Sequence, residues 1–198
     1  MAYIASIVEG HGENQAVPKL LHRIAQDLEF PDVLRINPPI RIKSGSFLND
    51  LSYFQKYVSL AAAKAAQESG FVLILLDCDD DCPAQIGPRL LSQAKSVRSD
   101  VNYIVALAYR EFESWFIAAI SSLGGHHGIP AGLTSPQHLE EIRDAKGWLG
   151  QRMESTYDPI VHQYKMVQEI NLNEAKQSSS FLRFYNKIRD ELFDDSKN

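Results

Sequence analysis

Cysteine is nearly absent from this chain. The two present, Cys78 and Cys82, flank an acidic run and have no second pair to complete a four-thiolate zinc site or a disulfide framework. Long apolar runs are also missing: no segment could span a bilayer, and the opening MAYIASIVEG has no basic leader ahead of an apolar stretch. The expected location is therefore the cytoplasm, with no membrane partner. Positive charge is in deficit, with 20 Lys and Arg against 25 Asp and Glu and a formal net charge of -5. That excludes a protein that grips nucleic acid by bulk charge alone. It leaves open a nucleic-acid substrate at a metal site, because bound cations invert the sign that carboxylates give a site. No internal repeat and no low-complexity tract interrupts the chain.

What is present suits one compact domain: 198 residues, 44% hydrophobic and 23% charged. Tyr3 to Val8 reads as a short buried strand that stops at Glu9-Gly10-His11-Gly12. From Asn14, a plausible cap, Val17, Leu20, Leu21, Ile24 and Leu28 recur at helical spacing, with Pro18 tolerable only in a first turn. Val33 to Ile36 is a second strand, and Pro38 to Gly45, carrying Arg41 and Lys43, a loop or irregular edge. Phe47 to Ala66 is helical by its apolar spacing and its alanines. Phe71 to Leu76 is the most hydrophobic strand, Ala84 to Val97 a helix, and Val101 to Leu107 a further strand leading into the helical start Arg110 to Phe116. Beyond Gly124 the pattern turns helical, through roughly Pro136 to Leu149, Pro159 to Ile170 and Phe181 to Phe193. The expected fold class is α/β, a mostly parallel sheet flanked by helices, with residues 1–123 forming the α/β domain and 124–198 a helical extension packed on it.

Acids gather just beyond strand ends, where open α/β sheets place their ligands. Glu9 ends the first strand, and Asp77-Cys78-Asp79-Asp80-Asp81 follows the most hydrophobic one. In an extended segment Asp77, Asp79 and Asp81 would project to one side and Asp80 away. Clustered carboxylates repel unless cations or protons neutralise them. Magnesium, with manganese as a substitute, suits such hard oxygen donors and keeps waters of its own. A solvated acidic loop is the plain alternative. Gly10 and Gly12 allow a close approach of backbone to an ion or phosphate, but lack the spacing of the nucleotide-binding fingerprints. His11 could contact phosphate. Arg183 and Lys187 share a helix face and could do the same, or pair with Asp190 and Glu191. Glu111 and Glu113 would diverge on a helix, and Glu113 is the preferred ligand of the two. Trp115 and Phe116 read as core.

These motifs, in order Val-Glu-Gly-His-Gly-Glu, Asp-Cys-Asp-Asp-Asp and Glu-Phe-Glu-Ser-Trp-Phe, resemble the Toprim fold. More narrowly they resemble bacterial Toprim-like proteins grouped as domain of unknown function DUF4276, related to the overcoming-lysogenization-defect nucleases. The resemblance runs from Tyr3 to about Phe116, with an echo at Ser180-Phe181-Leu182-Arg183-Phe184. It implies Glu9 as general acid or base, magnesium on Asp77 and Asp79, a second first-motif acid at Glu13, and an outlying ligand at Glu111 or Glu113. Asp81 rests on spacing alone. A magnesium-dependent nuclease of prokaryotic phage defence, working beside an ATPase partner, is the implied function. A metal- or nucleotide-binding regulatory subunit without cleavage is the alternative.

Overall fold

A computed structural model describes residues 1–194. Strand β1 (Ala2–Val8) feeds helix α1 (Glu13–Asp27), and two short strands follow, β2 (Leu34–Ile36) and β3 (Ile40–Arg41). Helices α2 (Ser44–Asn49) and α3 (Leu51–Gln67) lead to β4 (Phe71–Asp77), then α4 (Pro83–Val97) and β5 (Asn102–Ala108). The rest is helical: α5 (Ser114–Ala118), α6 (Ala145–Gly150), α7 (Pro159–Glu169), α8 (Leu172–Ala175) and α9 (Ser179–Leu192), with 3-10 turns at Ile120–Leu123 and Leu139–Glu141. Among the described residues no helix is long and apolar enough to cross a membrane.

All five strands are parallel, in the order β2-β1-β4-β5, with β3 continuing the β2 edge against the end of β1. Alternation decides the two layers. Ile4 and Val8 of β1, Leu73 and Leu75 of β4, and Ile104 and Ala106 of β5 face the core shared with α1, α5 and the carboxyl-terminal helices. Ala5, Ile7, Val72, Ile74, Leu76 and Val105 face α3 and α4. With helices on both faces, β4 is buried from Phe71 through Leu76, which explains its unbroken apolar run. The first of these cores draws on residues from Ile4 to Ile188, so the α/β part and the helical part share one interior.

Helix boundaries differ in instructive ways from the pattern in the sequence. The helix expected over Phe47 to Ala66 is two helices, because the Asp50 carboxylate accepts hydrogen bonds from the Ser52 and Tyr53 amides and caps a fresh start. Gly12, not Asn14, is the residue before α1, which moves Pro18 out of the first turn and into the helix interior. The segment expected to be helical over Arg110 to Phe116 is a turn up to Glu113, with helix only from Ser114. Between Pro136 and Leu149 a 3-10 turn and the short α6 replace one helix.

Candidate metal centre

Strand order reverses direction at β1: β2 lies on one side of it and β4 on the other. In open α/β sheets the loops beyond the carboxyl ends diverge at such a point and leave a crevice for ligands. Glu9 leaves β1 there, and Asp77 is the last residue of β4, in register with Ala108 of β5. The turn after β5 folds back over this end, so that the Phe112 amide donates to Asp77 Oδ1 at 2.7 Å. That turn also explains how Glu111 and Glu113 reach one place. Because the chain is not helical there, the two side chains flank Phe112 instead of diverging. Asp77, Glu111 and Glu113 each offer a carboxylate oxygen, all within 4.8 Å of one another.

Glu113 is 0% exposed. Its Oε1 accepts from Tyr157 Oη and from Gln163 Nε2, each at 2.9 Å. Its Oε2 lies 3.1 Å from Lys146 Nζ, outside hydrogen-bond geometry, and is otherwise unpartnered. The same ammonium stands 2.7 Å from Glu111 Oε1 and 3.5 Å from Asp77 Oδ2. The Lys146 amide donates to Glu111 Oε2 at 3.0 Å. One lysine thus faces three carboxylates. Burial would lower its pKa, but the fields of Glu113, Asp77 and Glu111 outweigh that and hold it above the ordinary lysine value.

The first βα loop supplies two more acids. Glu13, in the first turn of α1, is buried and turns back so that Oε2 accepts the Glu9 amide at 3.1 Å. Glu9 Oε1 accepts from Ser44 Oγ, brought alongside by β3, while its Oε2 is buried with no hydrogen-bond partner. Burial pushes the Glu13 carboxyl up to about 7, with Glu113 and Glu9 adding repulsion and the Gly10 and Glu9 amides opposing it. Asp77 is raised well above the carboxylate range by burial, then by Glu13, Glu113 and Glu9, with Lys146 pulling the other way.

A pH dependence follows for the metal-free protein. Unfolded glutamate titrates near 4.5, so between that value and about 7 the folded state keeps a Glu13 proton that the unfolded chain releases. Stability then falls as pH rises through this window and levels off above it. Melting in the presence of a chelator is expected to be roughly 5 °C higher at pH 5.5 than at pH 8, from about 2 kcal/mol of linkage. Glu13→Gln should flatten the slope. An unchanged slope in that variant would mean that Glu13 is not its source.

The other residues singled out in the sequence lie elsewhere. Asp79 and Asp81 are exposed, because the chain leaves the extended form at once: Asp79 takes φ 46° and the Asp81 amide closes a turn onto the Cys78 carbonyl. Asp80 pairs with Arg110, itself at φ 64°. Asp81 lines a separate cleft with Arg89 and Gln85. His11 is exposed on its loop. Arg183 and Lys187 line a groove of about 900 Å³ along the outer edge of β5, to which none of the triad contributes. There Lys187 Nζ donates to the Val105 carbonyl at 2.8 Å and Arg183 to Ser179 Oγ at 3.1 Å. Cys78 is buried, its sulfur accepting the Arg110 amide at 3.4 Å. Ser180 and Phe184 meet Trp115, through a 2.9 Å bond from the indole and a stacked contact at 5.1 Å, so the 180–184 echo has a packing role. Lys146, Tyr157 and Gln163 had no signal in the sequence, since each is brought in by tertiary contact.

The family model described as a domain of unknown function, DUF4276, matches residues 8–189, from the last residue of β1 into α9. The chain belongs to the DUF4276 family. No curated protein and no solved structure matches it. The DUF4276 match spans all five acids of the site together with Lys146, Tyr157 and Gln163. The residues fit a divalent cation: three hard oxygen donors are already assembled, and Glu113 Oε2 and Glu9 Oε2 are buried without hydrogen-bond donors.

Proposed function

We propose that this DUF4276 chain is a magnesium-dependent, Toprim-type phosphodiesterase that cleaves nucleic acid. The observation that supports it most is the placement of Glu9, Glu13, Asp77, Glu111 and Glu113 around the point where the strand order reverses. The choice of nucleic acid, and the relation to Toprim nucleases, rest on the resemblance of the acidic motifs and their order. A bound magnesium or manganese ion would polarise a phosphoryl oxygen and supply water that ionises near neutrality. Asp77, Glu111 and Glu113 would hold it. Tyr157 and Gln163 fix the Glu113 carboxylate, and the Phe112 amide fixes that of Asp77. Glu13, titrating at about 7, can take and return a proton at working pH, beside Glu9.

The test is cleavage of plasmid DNA or tRNA by the purified chain with magnesium or manganese. EDTA is expected to abolish it, and Glu113→Gln to slow it by roughly 100-fold. Failure to cut either substrate with either metal counts against an enzyme. Lys146 favours a second reading, a regulatory subunit whose acids are balanced by an ammonium and which binds metal or nucleotide without cleavage. In that case metal raises the melting temperature and no nucleic acid is cut.

A further inference from the structure

Three oxygens within 4.8 Å of one another enclose room for one cation, and a cation is already there. Lys146 Nζ faces Glu111 at 2.7 Å, Glu113 at 3.1 Å and Asp77 at 3.5 Å, the same three residues that converge as metal ligands. A second observation points to a ligand beyond the lysine. Glu113 is wholly buried, and its Oε2 has the ammonium nearby but outside hydrogen-bond geometry, so this oxygen is poorly satisfied by Lys146. Glu111 is satisfied better, since both its oxygens are held by Lys146, one through Nζ and one through the amide that opens α6. An ion that takes Glu111 as a ligand must therefore break into this pair. Two positive charges in one buried carboxylate cage also repel strongly at such distances.

We propose that Lys146 and a divalent ion are mutually exclusive occupants of the triad. The ammonium keeps the acids assembled while metal is absent, and leaves when metal binds. This rests on the metal-site reading above and adds to it a control on affinity: the metal must displace an internal competitor, so the site fills only where the free ion is abundant enough to win. It also ties occupancy to α6, because the residue that moves is the second residue of that helix.

The experiment is manganese binding to the full chain, by calorimetry or electron paramagnetic resonance, for the wild type, Lys146→Met and Lys146→Arg. Lys146→Met is expected to bind roughly tenfold tighter or more, having lost the competitor but not the ligands, whereas Lys146→Arg binds no tighter than the wild type. The metal-free Lys146→Met chain should melt lower than the wild type, and saturating manganese should close the gap. Should that variant fail to fold without metal, the wild type alone still decides the matter. Reductive methylation of Lys146, followed by mass spectrometry, is expected to speed up when magnesium saturates the site. Equal or weaker manganese binding by a folded Lys146→Met chain, or methylation of Lys146 that metal does not accelerate, would overturn the competition while leaving the metal site standing. Absence of manganese binding in wild type and variants alike would remove the metal reading itself.

Discussion

Asp77→Asn is expected to lower the proposed cleavage by roughly a thousandfold while leaving the metal-free protein as stable as the wild type, or more so. The two effects have opposite signs because the same carboxylate is a ligand and a liability. Its side chain is 12% exposed and its ionisation is opposed first by burial and then by Glu13, with Glu113 and Glu9 adding to the repulsion. An asparagine keeps an oxygen for the Phe112 amide, which now donates to Oδ1 at 2.7 Å. It gives up a 3.5 Å approach to Lys146, the longest of that lysine's three. Removing one charge from a crowded set of like charges offsets that loss. Cleavage rates with magnesium, and melting curves with a chelator, measure the two sides separately. A variant that cuts normally would remove Asp77 from the chemistry, and one that melts much lower would make it a structural anchor instead.

Gly12→Ala should be the most damaging single methyl group in the loop after β1. Gly12 has φ -66° and ψ -35°, a conformation any residue adopts, so its need for glycine is spatial. A Cβ there would sit 2.4 Å from the Pro159 carbonyl oxygen and 2.4 Å from Gln163 Oε1. The first of these is backbone and cannot swing aside, so α7 must move off the start of α1. A cost of about 3 kcal/mol is expected, or roughly 5–10 °C in melting temperature for a chain of this length. Gln163 is also the amide that holds Glu113, so metal affinity should fall along with stability. Gly45→Ala is the control: nothing lies within 4 Å of a Cβ at that position, and its melting temperature should not drop.

Much of the sheet was legible because its strands have a strong local signature. Phe71 to Leu76 is a short, unbroken apolar run, and the structure extends it only to Asp77. The acids at strand ends were legible for the same reason: once β1 and β4 are placed, Glu9 and Asp77 fall beside each other. Side-chain alternation failed at Asp79 and Asp81, since it holds only while the backbone stays extended, and the backbone turns at Asp79. Glu111 was set behind Glu113 by assuming a helix where there is a turn. Lys146, Tyr157 and Gln163 meet their acidic partners across separations of 35, 44 and 50 residues. No pattern within a helix or strand encodes such pairings, since they are fixed by how the last helices dock on the sheet.

Those separations also set a timetable for synthesis. Glu113 leaves the ribosome 50 residues ahead of Gln163, an interval of about 3–10 s at ordinary elongation rates. For that time the strands that carry the acids exist without the tyrosine, the amide and the ammonium that hold those acids together in the finished protein. The newly made amino-terminal half is therefore a set of mutually repelling carboxylates awaiting its counterweight, and it completes its fold only when the last third of the chain arrives.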